Sequence, residues 1–337
     1  MQILIVKTTS LGDIIQSLPV LAFLLKKFPH AQLDWVVEKL FKELLEAHPN
    51  IHQVIPVEMR IWKRNLIKQR QAIKNTISTL RKSHYDLLID LQGNIKSAII
   101  TKFAHAEEKI GTTFSSAPEW PNALFLTHRY SLNQKEPITL QYLSLIQNHL
   151  KVKPGAFEMD LSLEISSEDE VWIASILKEG KKVMVCPGSC WENKKLSLPT
   201  WIELLKKEQA KGTCYFYFVW GLEKEKKEGV ALHSQFPNSS TLLPKISIPV
   251  WQRLMSKMDL IYTVDSSALH LAATTKTPTF SFFGPSAAAI YQPPGKTHQS
   301  FQASCPYGKT FIKRCPALRT CKTGACLKSL SVEKIKI

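Results

Sequence analysis

The chain has 337 residues, 44% hydrophobic and 21% charged, with 44 Lys and Arg against 28 Asp and Glu and a formal net charge of +16. That length exceeds one typical core and suits two domains. No run approaches the ~20 apolar residues of a membrane span, and no basic stretch leads into an apolar run at the N-terminus, so neither a spanning helix nor a secretory signal is expected and the expected compartment is the cytoplasm. The charge calls for an anionic partner, whether nucleic acid, anionic lipid or a phosphorylated small molecule.

In chain order, short apolar or alternating segments predict strands at 2–7, 33–38, 53–57 and 86–91, with a less regular one at 109–113. Others follow at 182–187, 214–220, 259–264 and 278–283. Helical apolar spacing predicts helices over 14–28, 39–47, 66–83, 94–104, 138–150, 168–179, 199–210, 249–257, 267–275 and 325–336. Pro19 interrupts the first of these, which therefore kinks or starts late. Strand–helix alternation over this length argues for parallel sheets covered on both faces. Segment 152–167 has no helical period and carries Pro154-Gly155, after which the alternation restarts at Lys182. The expected domains are therefore 1–155 and 156–337, and open parallel sheets bind ligands at the carboxyl ends of their strands.

Charge and cysteine are unevenly placed. Residues 60–82 hold eight Lys and Arg and no acid, and residues 266–332 hold another eight and no acid. A solvated basic helix face with a basic tail accounts for this as well as an anionic partner does. The seven cysteines are odd in number and the first three lie in or beside strand-like segments, which is not a secreted disulfide framework. The last four, Cys305, Cys315, Cys321 and Cys326, could bind a structural metal as thiolates, although they lack the paired CxxC spacing of common zinc sites; reduced free thiols are the simpler expectation.

Four segments could carry chemistry. SLGDII places Gly12, where a backbone or ligand can come close, beside Asp13, which either caps a helix or acts as a general base at a ligand edge. CPGSCWENKKLSLPTW follows a strand and offers Lys194 and Lys195 to a diphosphate, unless both are simply solvated. VWGLEKEKKE ends a strand with Glu223 and Glu225 close behind, as a ribose-binding carboxylate or as an exposed charged helix. TVDSSALH joins a strand to a helix, with Ser266 and Ser267 as caps whose free amides suit phosphate, Asp265 to orient hydroxyls, amides or a cation, and His270 one turn on. The capped helix with a buried histidine stands beside that reading.

In this order, these segments resemble the bacterial ADP-heptose:lipopolysaccharide heptosyltransferases, glycosyltransferase family 9. The likeness covers nearly the whole chain: ILIVKTTSLGDIIQSLPVL, YDLLIDLQGNIKSA, LLPKISI, YTVDSSALHLAA and FFGPS look like family blocks, and LDWVVE and VIPVEMRIWKR look like heptosyltransferase I in particular. The cysteine-containing tail looks more like type II, and a type II enzyme or another member with a different acceptor is the alternative.

The resemblance implies a GT-B glycosyltransferase: two Rossmann-like α/β domains facing a central cleft, the first receiving the Kdo inner core of nascent lipopolysaccharide and the second ADP-heptose. It implies inverting transfer with no metal or other cofactor. Asp13 falls on the catalytic base and Lys194 on the lysine that meets the donor diphosphate, with Lys195 one register away. Asp265, Ser266, Ser267 and His270 fall on the donor motif, where Ser266-Ser267 replaces Thr-Gly. Glu225 falls at the nucleoside ribose and Ile246 beside the adenine. Gly12, Arg60, Lys63 and Arg64 fall where the family meets the anionic acceptor. In the lysine loop, Leu196 stands in place of the usual Trp. The implied partners are ADP-heptose, Kdo-lipid A and the anionic inner leaflet, met as a peripheral protein on the cytoplasmic face. A nucleic-acid partner is not expected, because no recognition-helix, RRM or zinc-finger pattern is present.

Overall fold

A computed structural model describes residues 1–65, 67–153, 159 and 161–335; within it the side chains of Arg60 and Lys63 lie outside the description. The chain divides into two compact units, Met1–Met159 and Asp160–Ile337. The boundary expected at 155/156 lies outside the described residues.

The first unit runs β1 (Gln2–Val6), α1 (Leu11–Lys27), β2 (Gln32–Glu38), α2 (Lys42–Glu46), β3 (Gln53–Val57), α3 (Met59–Arg64), α4 (Arg70–Lys82), β4 (His84–Asp90), α5 (Ile95–Phe103), β5 (His105–Thr112), β6 (His128–Tyr130) and α6 (Ile138–His149). Its strands form one sheet in the order β3-β2-β1-β4-β5-β6, every pairing parallel. Ile3–Val6 are buried because helices cover both faces of a parallel sheet, so its central strands read as unbroken apolar runs. One part of the core packs Leu4, Val6, Val36, Ile55, Leu80 and Tyr85 together. Helix α1 begins at Leu11 and continues through buried Pro19 without a break in assignment.

The second unit runs α7 (Ser167–Ile176), β7 (Lys181–Cys186), α8 (Leu198–Gln209), β8 (Cys214–Phe218), α9 (Glu223–His233), β9 (Ser240–Leu242), α10 (Ile248–Met255), β10 (Leu260–Val264), α11 (Ser267–Ala272), β11 (Thr279–Phe283), α12 (Ala288–Tyr291), β12 (His298–Gln302) and α13 (Ala325–Lys328). Its sheet has the order β12-β11-β10-β7-β8-β9, again all parallel. The core here is aromatic: Trp201 meets Phe282 edge-on at 5.6 Å, and Phe216 meets Phe236 at 5.1 Å. Aromatic edge-to-face pairs add to plain area burial.

The helix expected over 325–336 is instead a four-residue helix, α13, and a separate short turn at Val332–Lys334, while Lys336 and Ile337 lie outside the described residues. Ser329 and Ser331 stand at the break, where hydroxyls compete for backbone groups. Helix α3 was not anticipated; Met59 and Trp62, three apart and both buried, pin it to the core. Helix α4 starts at Arg70, later than expected. Among the described residues no helix is long and apolar enough to cross a membrane.

Candidate active site

Both sheets reverse their winding once. In the first unit the reversal lies between β1 and β4; in the second it lies between β7 and β10. At such a switch point the loops leaving adjacent strand ends turn to opposite faces and leave a crevice for ligand.

In the first unit β1 delivers Lys7 to Ser10 and then α1. Ser10 is the extended N-cap of α1, and Asp13, three residues on, reaches back. Its carboxylate accepts from the Ser10 amide at 3.2 Å and from the Ser10 hydroxyl at 2.6 Å. Asp13 does cap its helix, and it is also partly exposed at the strand end, as is Gly12. The neighbouring strand end braces this loop. The Gln92 side-chain carbonyl accepts from the Thr8 and Thr9 amides at 3.0 Å each, and Asp90 in turn accepts from the Gln92 and Gly93 amides at 2.9 Å. Lys7 is buried, donates to the Leu91 carbonyl at 3.1 Å and lies 4.8 Å from the centre of the Tyr142 ring. Burial works against its ammonium, but Tyr142, Asp13 and Asp90 outweigh it and hold its pKa above the ordinary value. Neither Gln92 nor Lys7 was singled out from sequence, although a lysine closing the buried run ILIVK was a signal. Arg64 is exposed at the end of α3, which follows the edge strand β3.

In the second unit, five successive strand ends carry the candidates. The turn after β7 holds Lys194, whose ammonium donates to Asp265 at 2.5 Å. Asp265 follows β10 and also accepts from the buried Ser286 hydroxyl, which follows β11. Burial resists ionisation of Asp265; Lys194, Ser286 and His270 overcome it and lower its pKa. Asp265 therefore orients a cation, one of the roles expected for it. The two lysines are told apart: Lys195 turns away into ion pairs with Glu192 at 2.8 Å and Glu228 at 2.9 Å. Ser266 stands at the N-cap position of α11 but makes no side-chain cap bond; its hydroxyl is buried and, among the described residues, without a partner, and Ser267 opens that helix. Among the described residues Lys151 is the only non-glycine residue at positive φ, so Ser267 occupies its position without the strain a required glycine would imply. His270 is buried on the same helix.

Glu225 lies in the first turn of α9, the charged helix of one of the two readings of VWGLEKEKKE. It is buried rather than exposed, and its Oε2 accepts from the Gly221 and Leu222 amides at 3.0 Å each. Gly188, after β7, leaves room for that carboxylate. Ile246 is partly buried in the loop after β9, which is tied to the end of β8 by the Trp220 indole donating to the Leu243 carbonyl at 2.9 Å.

The cysteine-containing tail is a brace. Asn193, beside Lys194, donates to the Leu318 carbonyl at 2.7 Å, and Gly324, at φ 58, lies so close that a side chain there would meet the Asn193 backbone. The Cys315 amide donates to the Pro285 carbonyl at 2.7 Å and holds the Ser286 loop. The four-thiolate metal site considered from sequence does not form: among the described residues no group of three or more His, Cys, Asp and Glu is placed to hold a metal, and all seven cysteines are free. The tail is held by its backbone instead.

Two doubly wound parallel-sheet units with polar groups at both switch points are the architecture of the GT-B class. Residues 73–320, most of the chain, match glycosyltransferase family 9 (heptosyltransferase), and the chain belongs to that family. It is 28% identical to lipopolysaccharide heptosyltransferase 1 of Pseudomonas aeruginosa, covering 94% of this chain and 87% of that one. It is 25% identical to the Escherichia coli K12 protein of the same name over 90% and 94% of the two chains. Among solved structures it is similar to E. coli heptosyltransferase WaaC with ADP-2-deoxy-2-fluoro heptose, at TM-score 0.77 and 25% identity over 90% of this chain and 94% of that one. Its fold is also that of E. coli ADP-heptose lps heptosyltransferase II, at TM-score 0.73 and 19% identity over 95% and 94%.

Proposed function

We propose that this enzyme transfers L-glycero-D-manno-heptose from ADP-heptose to the Kdo inner core of lipopolysaccharide, with inversion and without a metal ion. The observation that carries the reading is a partly exposed carboxylate, Asp13, at one switch point and an oriented lysine, Lys194, at the other, in a chain of this family. The acceptor hydroxyl oxygen bonds to the anomeric carbon as the bond from that carbon to the ADP phosphate oxygen breaks. The hydroxyl proton passes to Asp13, and ADP leaves with the bonding electrons. Lys194 and the first amides of α11 take up the charge that gathers on the leaving diphosphate. Lys194 keeps donors for it, since an ammonium has three and Asp265 takes one. Glu225 receives the ribose diol, and backbone beside Ile246 meets the adenine. Gly12, Arg60, Lys63 and Arg64 receive the anionic acceptor, with 1–155 as the acceptor domain and 156–337 as the donor domain. The enzyme works as a peripheral protein on the cytoplasmic face of the inner membrane.

The test is transfer from ADP-heptose to Kdo-lipid A by the wild type and Asp13→Asn. Wild-type transfer with a folded variant slower by about 10²–10⁴-fold supports the reading. Wild type that binds ADP-heptose but uses only a heptosylated core would make it a type II enzyme. A fully active Asp13→Asn would remove the base.

A further inference from the structure

Several lysines of the second unit have carboxylate partners: Lys207 with Glu203, Lys211 with Glu208, Lys195 with Glu228 and Glu192, and Lys224 with Glu192. Helix α4 is different. Its exposed positions recur at helical spacing and form one stripe, on which Arg70, Lys74, Arg81 and Lys82 stand with no acid between residues 59 and 85. Among the described residues none of these four is in an ion pair. Lys74, Arg81 and Lys82 line one open groove with Ile77 and Ser78. Like charges one turn apart, such as Arg70 and Lys74, cost a helix stability, and a stripe that keeps them without carboxylate partners among the described residues is suited to an external anion. The patch continues onto α5, where Lys102 lies 5.8 Å from the centre of the Phe103 ring, with Arg81 of α4 at 5.4 Å from the same ring.

We infer that the α4 stripe is the surface by which this protein lies on an anionic lipid bilayer. The stripe is straight and ~18 Å long, from twelve residues of rise, and a bilayer presents a flat, continuous anionic field to match it. Two large apolar side chains sit at its leading end, Ile67 at 83% exposure and Ile61 at 47%. Apolar groups beside a cationic helix face suit the headgroup boundary and have no use on a phosphodiester backbone. As the crossover from β3 to β4, α4 starts at the carboxyl edge of the first sheet, beside Arg64, and ends at the opposite edge. A helix lying along the membrane therefore keeps the end of α3 next to the lipid surface, where a lipid-linked acceptor presents its sugars. The choice of lipid rests on the function proposed above, but binding is read without turnover, so the two readings fail separately.

The test is co-sedimentation of the full chain with vesicles of phosphatidylglycerol and phosphatidylethanolamine, against vesicles of phosphatidylcholine alone. The wild type binds the anionic vesicles, less so as salt rises, and the neutral ones poorly. The variant K74Q/R81Q/K82Q loses about 100-fold in affinity, at roughly fivefold per cation. A control, K206Q/K227Q/K257Q, removes three exposed cations from the second unit and changes binding less than threefold. The stripe variant keeps its turnover on an acceptor stripped of acyl chains and loses it on a bilayer-embedded one. Equal losses for both triple variants would reduce the effect to net charge and overturn the proposal, as would undiminished vesicle binding by the stripe variant. Transfer RNA bound more tightly than vesicles, and lost by the same variant, would reassign the stripe to nucleic acid.

Discussion

Asp13 and Asp265 lie on opposite sides of the reversals of two sheets of the same winding: Asp13 follows the first strand of its sheet, β1, and Asp265 the fourth of its own, β10. Each follows a strand that borders the reversal, at the entry to a helix. Asp13 is partly exposed, and it accepts hydrogen bonds from its own N-cap, three residues away. Asp265 is 6% exposed and committed to Lys194 and Ser286, from two other strand ends. The first keeps a face toward solvent. The second is spent on aiming a cation. Position in the fold brings a carboxylate to the strand-end edge, and its neighbours decide whether it stays open to solvent or is committed to a cation.

The sharpest way to break that contrast is to make the same change in both. Asp13→Asn keeps an acceptor for Ser10 but no base, so kcat falls by about 10²–10⁴-fold while stability moves by less than about 1 kcal/mol. Asp265→Asn is expected to do the reverse in kind: it weakens the grip on Lys194, raises KM for the donor and lowers stability. Equal kinetic profiles for the two would end the distinction. Next in size is Lys194→Met. It leaves the buried Asp265 carboxylate without its cation, and breaking a buried pair from one side costs about 3–5 kcal/mol, read as a fall in urea midpoint.

A pH effect separates groups that are buried neutral from those buried charged. His48, in the first unit, is pushed down to about 4 by burial, and its Nδ1 accepts from the Asn50 amide at 3.2 Å, a bond only the unprotonated ring can make. The unfolded chain takes up that proton first, near the ordinary value of 6.5. Stability is therefore complete above pH ~6.5 and falls by roughly 3 kcal/mol as the pH drops to about 4. His298 in the second unit is shifted the same way by burial. Asp265, buried charged, has a lowered pKa and contributes fully above its ordinary 3.8, losing that contribution as the pH falls through the lowered value. His48→Gln is expected to flatten the slope between pH 6.5 and 4 for first-unit amides in hydrogen exchange. An unchanged slope would place the acid sensitivity elsewhere.

The same contrast between centre and edge governs how much could be read from the chain. Strands β1, β4, β7, β10 and β11 are buried runs and stand out by composition. The three strands not foreseen, β6, β9 and β12, are all edges of their sheets. An edge pairs on one side only, so HRY, STL and HQSFQ need no continuous apolar run. Helix α9 was legible as a charged helix but not by apolar spacing, for a related reason: EKEKKEGVALH is mostly charged, and only Glu225, Gly229 and Leu232 turn inward. The candidate site was legible where its residues follow central strands, as with Asp13, Lys194 and Asp265. Gln92 and Ser286 were not, because their partners come from other strands and only the sheet order brings them together.

The smallest expected effect tests whether Glu225 does more than cap its helix. A Cβ at Gly188 would lie 2.7 Å from Glu225 Cδ and 2.9 Å from Oε2. Gly188→Ala thus meets the end of a side chain, which can swing away, and the backbone stays in place. What is lost is the pair of bonds from the Gly221 and Leu222 amides, so stability falls by only about 1 kcal/mol. A carboxylate that also holds the ribose is displaced from it by the same movement, and the lost charged hydrogen bonds raise KM for ADP-heptose about tenfold. Acceptor KM and kcat at saturating donor stay as they were, since nothing in the first unit has moved. A variant with the small stability loss and an unchanged donor KM would leave Glu225 a cap alone. The adenosine would then need another partner among the strand ends that flank β7.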